Sequence, residues 1–213
     1  MKNLIQEIYS AVVNGNASIV KEKIQTALDN GAAVEDLLNN GLIAAMKEVG
    51  QLFEKGEYYV PEMLISARAM QSGMAILRPI MISHDIKPIG KAVIGTVKGD
   101  LHEIGKNLVG TMLEGAGFQI IDLGTDVDPE KFLKAINTHH PDIVGMSALL
   151  TTTMVNIEKV LRYFEENGVR NGIKVIIGGA PVTQDYADEI GADGFALDAS
   201  QAAVVAKQLL GID

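Results

Sequence analysis

Asp100 and His102 stand two residues apart in Gly99-Asp100-Leu101-His102-Glu103-Ile104-Gly105-Lys106-Asn107. A carboxylate at that spacing can hydrogen-bond one imidazole nitrogen and leave the other free to bind a metal. The pairing fixes the tautomer and makes the free nitrogen a better ligand. Gly105 lets the backbone pass close to something large. The same residues have a plainer reading, because an Asp-x-His on a loop is also a common solvated pair or helix cap. The stretch alone leaves both open.

The flanking residues say what must position the pair. Before it, Lys91-Ala92-Val93-Ile94-Gly95-Thr96-Val97 is apolar and β-branched, the pattern of a buried strand. After it, Leu108, Met112 and Leu113 recur at helical spacing. Asp100 and His102 therefore belong on a loop between the carboxyl end of a strand and a helix, where open α/β sheets bind ligands.

From Lys91 onward strand and helix signals alternate. Strands are predicted over 91–97, 119–123, 142–146 and 173–177, with a weaker one at 193–196. Helices are predicted over 105–116, 128–138, 152–167, 182–190 and 199–210. Asp128-Pro129-Glu130 marks a helix start by its cap residue, its first-turn proline and its acid. Such alternation implies a doubly wound, five-stranded parallel sheet, flavodoxin-like (Rossmann-type) in order. Two further loops fall on the same sheet edge. Met146-Ser147-Ala148-Leu149-Leu150-Thr151-Thr152-Thr153 is rich in hydroxyls that can bond a polar ligand or cap the next helix. Ile177-Gly178-Gly179-Ala180-Pro181 carries paired glycines, which allow close backbone approach to a turn or a ligand.

The first eighty or so residues show helical periodicity alone. Leu4, Ile8 and Val12 form one stripe, Val20, Ile24 and Leu28 a second, and Leu42, Met46, Val49 and Phe53 a third. Asn30-Gly31 and Gly56 are helix stops, and Pro61 suits a first turn. Val60, Met63, Leu64, Ala67, Met70, Met74 and Leu77 line a fourth helix. An N-terminal four-helix bundle is the expected arrangement. Several of the nine methionines fall here, either as core filling or as a soft apolar face against a flat ligand. The turn formers Ser83 to Gly90 place the linker, so residues 1–88 and 89–213 are the expected domains.

Composition narrows the function classes. A formal net charge of −9 argues against non-specific nucleic-acid binding, which needs a basic footprint. The chain has no cysteine, which excludes disulfides, thiolate metal sites and thiol catalysis. The start turns acidic too soon for a secretory signal, and no apolar run approaches the roughly 20 residues of a membrane helix. A soluble, cytoplasmic protein is expected, with neither nucleic acid nor membrane as partner.

Together these residues resemble the cobalamin-binding module of corrinoid methyl-transfer proteins. The family pattern Asp-x-His-x-x-Gly, then Ser-x-Leu, then Gly-Gly corresponds to Asp100, His102 and Gly105, then Ser147 and Leu149, then Gly178 and Gly179. Gly56-Glu57-Tyr58-Tyr59-Val60-Pro61-Glu62 and Ser66-Ala67-Arg68-Ala69-Met70 resemble the bundle that precedes this module in methionine synthase and in small anaerobic corrinoid proteins. The resemblance implies a cobalamin or related corrinoid, carried as methylcobalamin, with its own base detached and His102 on the lower face of cobalt. Gly99, Asp100, Leu101, His102, Glu103, Ile104 and Gly105 would form the cofactor loop. Ser147, Leu149, Thr151 and the Gly178–Gly179 turn would line the slot for the nucleotide tail. Thr153 stands where methionine synthase has a serine joined to the Asp–His pair, so Asp100, His102 and Thr153 form the implied reactive set. Tyr59, Met63 and Met70 are the candidates for capping the upper face.

The function so implied is that of a methyl carrier with little catalysis alone. It serves a substrate-specific methyltransferase and a second methyltransferase with a folate- or pterin-type acceptor, and a reductive activase is a further candidate partner. A cobalamin-dependent sensor or regulator and a cobalamin subunit of a mutase are the alternatives. The identity of the methyl donor is not written in this chain.

Overall fold

A computed structural model describes residues 2–212, and its fold is helical first and α/β after. The chain divides into two compact units, one through Pro88 and one from Ile89 onward, the turn Gly115–Gly117 excepted.

In the first unit, α1 (Lys2–Val13) and α2 (Ala17–Asp29) form a hairpin. The Asn16 carboxamide oxygen accepts the Ile19 N–H at 3.1 Å, satisfying one of the donors left free at a helix start. Val34–Asp36 (α3) runs through a π-helical stretch, Leu37–Ile43, into α4 (Ala44–Glu54). The long helix α5 (Val60–Ser83) has Pro61 in its first turn, with the Glu62 carboxylate accepting the Tyr59 N–H at 3.0 Å.

The π stretch is a departure from the sequence expectation. Buried positions there fall in pairs at Leu37–Leu38, Gly41–Leu42, Ala45–Met46 and Val49–Gly50. A repeat of four is wider than the 3.6 of an α-helix, and π turns supply the extra residue. A search at α-helical period therefore finds the stripe only from Leu42 onward. The last carbonyl of α1, on Val13, accepts from the Ser66 hydroxyl at 2.9 Å and the Tyr58 hydroxyl at 3.2 Å, which ties α5 to the hairpin.

The second unit alternates strictly: β1 (Gly90–Thr96), α6 (Ile104–Gly115), β2 (Phe118–Asp122), α7 (Pro129–His139), β3 (Ile143–Ser147), α8 (Thr151–Glu166), β4 (Lys174–Gly178), α9 (Gln184–Ile190), β5 (Gly194–Ala196) and α10 (Ala199–Leu209). The strands form one parallel sheet in the order β2-β1-β3-β4-β5. Each expected strand and helix of this half is present, with its ends moved by a residue or two. The segment between α5 and β1 is 84–89, one residue shorter at each end than the run of turn formers.

On one face of the sheet, Val93, Val144, Met146, Val175 and Ile177 pack with Phe132, Ile136, Ile157, Val160, Leu161 and Phe164 from α7 and α8. Gly95 makes room for Phe132, whose ring would stand 2.8 Å from a Cβ there. Burying this many branched and aromatic side chains fixes the sheet against its helices. Register then aligns four strand ends in one row, with Thr96 beside Ser147, Ser147 beside Gly178 and Gly178 beside Ala196. The chain order reverses between β1 and β3, so the loops after them border the crevice of the sheet. No helix among the described residues is long and apolar enough to cross a membrane.

Candidate functional site

The loop after β1 carries Asp100 with no exposed surface and, two residues on, His102 with its side chain half exposed. The Asp100 carboxylate divides its two oxygens between two loops. Oδ1 accepts the His102 backbone N–H at 3.1 Å and faces His102 Nδ1 at 2.8 Å. Oδ2 accepts the N–H groups of Leu149 and Leu150 at 2.7 and 3.3 Å, and the Thr153 hydroxyl at 2.7 Å. Asp100 thus caps the start of α8 from a distant loop, where the positive end of the helix favours an anion. One carboxylate thus accepts both from His102 and from the start of α8.

Burial pushes the Asp100 carboxyl up. The hydrogen bonds from Thr153, from the backbone of His102 and Leu149 and from the His102 ring outweigh it, and hold the group well below the usual carboxylate range. A carboxylate only accepts, so Nδ1 carries the proton in that contact. In the neutral ring Nε2 is then a lone pair, on a side chain that is half exposed. What the arrangement offers is one oriented imidazole nitrogen.

A single nitrogen cannot hold a free metal ion, and no group of three or more His, Cys, Asp or Glu fit to hold one occurs among the described residues. The donor set fits a metal whose other ligands come from an organic chelate. The surroundings fit a flat apolar body. Ile104, Leu197 and Leu101 are 80%, 77% and 72% exposed, and Leu149 and Leu150 are also exposed. Leu101, Leu149, Leu150 and Leu197 sit in the loops at the carboxyl ends of β1, β3 and β5, and Ile104 is the first residue of α6.

The other expected residues are placed as follows. Glu103 and Gly105 are exposed beside Ile104, and a Cβ at Gly105 would meet nothing within 4 Å. Ser147 is half-buried at the end of β3, and Thr151 is exposed in the first turn of α8. Gly178 ends β4, and Gly179 has φ +129° with its Cα against the Ala148 carbonyl. Asp100, His102, Ser147, Leu149 and Thr153 are thus joined through the two loops that flank the crevice. In the helical unit Met63 and Met70 are buried, on the stripe of α5 that carries Gly73 against Val20 and Ile24, whereas Tyr59 is 65% exposed.

Three residues that the sequence pattern did not single out hold the histidine loop. Asp126 Oδ1 accepts the Gly99 N–H at 2.8 Å, its Oδ2 pairs with Lys98 Nζ at 2.9 Å, and its own N–H donates to the Asp100 carbonyl at 3.0 Å. It does so at φ +54°, left-handed backbone that Asp tolerates better than most residues. Asn156 on α8 donates to the Lys98 carbonyl at 2.7 Å. The Thr96 hydroxyl donates to the His102 carbonyl at 2.9 Å. The turn-former run Gly124-Thr125-Asp126 was the available signal for the first. Asp126→Gly keeps the left-handed backbone and deletes the side-chain bonds. Amide exchange at Gly99 is expected to speed up roughly tenfold, while the strand amides of β1 and β3 keep their rates.

Residues 90–206 match the B12 binding domain model, and residues 4–78 match a second B12 binding domain model. A corrinoid protein of Desulfitobacterium hafniense is 41% identical over 212 residues, covering 98% of each chain. Dimethylamine corrinoid protein 3 of Methanosarcina acetivorans is 40% identical, over 99% of this chain and 98% of its own. Among solved structures, the methanol:cobalamin methyltransferase complex of Methanosarcina barkeri includes a chain with TM-score 0.89 and 31% identity. That match covers 98% of this chain and 80% of the other.

Proposed function

The chain belongs to the family of corrinoid proteins with B12 binding domains, and from that premise we propose that it carries a methyl group on a bound corrinoid between two methyltransferases. When bound, the corrinoid supplies a cobalt atom that accepts and releases the methyl group. One observation carries the reading. A half-exposed imidazole has its Nδ1 engaged by a buried carboxylate, on a sheet edge where Leu101, Ile104, Leu149, Leu150 and Leu197 are exposed.

In this reading His102 Nε2 would hold the cobalt of the bound corrinoid. Asp100, itself held by Thr153, would keep the ring in its Nδ1–H form with Nε2 available to the metal. Leu101, Ile104 and Leu149 exclude water from the apolar rim. Ser147, Thr151, Gly178 and Gly179 receive the nucleotide tail.

The relatives' names support a methyltransferase as donor-side partner, since they are corrinoid proteins for dimethylamine and part of a methanol:cobalamin methyltransferase complex. The second partner is a methyltransferase with a folate- or pterin-type acceptor, and a reductive activase restores the cofactor after oxidation. The test is to load the full chain with a corrinoid, reduce it and alkylate it with isotopically labelled methyl iodide. Anaerobic extract of the source cells and tetrahydrofolate are then added. Label is expected on the folate only when both chain and extract are present. Label that stays on the protein under every condition would contradict the folate assignment.

A further inference from the structure

Thr96 takes no part in the chemistry just described, yet its hydroxyl lies between two residues that do. It is the last residue of β1, has no exposed surface, and is paired in register with Ser147 of β3. Thr96 Oγ1 is 2.9 Å from the Ser147 Oγ and 2.9 Å from the His102 carbonyl oxygen. The directions follow from what each group can do. A carbonyl only accepts, so the single Thr96 proton goes to His102, and in the same network Ser147 must donate to Thr96. The order Ser147 to Thr96 to His102 is therefore set.

His102 is then held at three points. Asp100 takes its backbone N–H and its ring Nδ1–H. Thr96 holds its carbonyl from the end of a strand paired on both sides, by β2 and β3. Asp100 alone leaves the carbonyl side of His102 unanchored, so a shift of the chain there would carry along the Cα that bears the ring. We propose that Thr96 is a positioning residue for His102, and that through it the Ser147 loop and the direction of His102 Nε2 respond together. This rests on the reading of His102 as axial ligand.

The variants are Thr96→Val, which keeps the shape and removes the hydroxyl, Thr96→Ser, which restores it, and Ser147→Ala. Full chains are titrated with hydroxocobalamin and reduced to the Co(II) state. Electron paramagnetic resonance of 15N-histidine-labelled protein then reports the fraction of cobalt bound by histidine. The ratio of histidine-bound to histidine-free cobalt is expected to fall roughly tenfold in Thr96→Val and to recover in Thr96→Ser. An unchanged ratio in Thr96→Val would overturn the positioning role.

Amide exchange at His102 in the cofactor-free chain separates this from the carrier reading. Ser147→Ala is expected to speed it roughly threefold in the wild-type background, and to add nothing in Thr96→Val. Exchange that is additive in the double variant would overturn the coupling, and exchange unaltered by Thr96→Val would overturn the positioning. Neither outcome depends on whether the chain takes up a corrinoid. Equal melting temperatures for Thr96→Val and Thr96→Ser keep a general loss of stability out of the comparison.

Discussion

Asp100→Ala is expected to destabilise the cofactor-free α/β unit by roughly 2–4 kcal/mol, read as a lower urea midpoint with little change in slope. The cause is not a lost contact with solvent, since the carboxylate has none. Five hydrogen bonds reach its two oxygens from His102, Leu149, Leu150 and Thr153, and alanine leaves these donors facing an apolar methyl. Asp100→Asn keeps the shape but offers an NH2 group to donors on one side, so it should recover less than half of the loss. The pH dependence has a definite sign. The folded-state value is depressed below the ordinary 3.8, so the stabilisation is fully present above that value and is lost as pH falls beneath it. Wild-type stability should therefore fall more steeply on acidification below about pH 4 than that of Asp100→Ala. Equal slopes for the two proteins would show that this carboxylate is not the buried anion described here.

Gly179→Ala should cost about 3 kcal/mol or more, and it should act on the histidine site from two strands away along the same sheet edge. At φ +129° an L side chain is strained in any surroundings. Here its Cβ would also stand 2.0 Å from the Ala148 carbonyl oxygen and 2.8 Å from the carbonyl carbon. These are backbone atoms, so one of the two loops must move. The Ala148 N–H donates to the Gly178 carbonyl at 3.2 Å, and the next N–H along the chain, on Leu149, is the closest backbone donor to Asp100 Oδ2. Displacing Ala148 therefore pulls a donor from the carboxylate that orients His102. Thermal unfolding should show the lost stability, and exchange at the Leu149 amide should rise beyond the global change. A Leu149 amide that exchanges as in wild type would break this link between the glycine turn and the site.

The parallel sheet was legible because its signals are local and repeated. Each strand is a short β-branched run, each helix carries an apolar stripe, and Asp128-Pro129 announces α7 as clearly in the structure, where Asp128 accepts the Lys131 N–H at 2.8 Å. The Asp100–His102 pair was legible for the same reason, since both residues lie on one loop. Contacts made across the sheet were not legible from spacing. That Asp100 caps α8 depends on the β1–β3 register, and so does the meeting of Thr96 with Ser147. Thr153 was reached only through the family resemblance, and Asp126 and Asn156 by neither route. The π stretch Leu37–Ile43 escaped because its period is not that of the helix searched for.

The most direct test of the central claim is the spectrum of a bound corrinoid in wild type and in His102→Ala. Each full chain is purified without cofactor, incubated with hydroxocobalamin and freed of excess. The visible spectrum is recorded, followed by the electron paramagnetic resonance spectrum of the Co(II) form with 15N-labelled histidine. If His102 Nε2 is the axial ligand, wild type retains the corrinoid with cobalt coupled to a 15N nucleus. His102→Ala would then hold it with no protein nitrogen on the metal. Failure of wild type to retain any corrinoid, or the same 15N coupling in His102→Ala, would contradict the account.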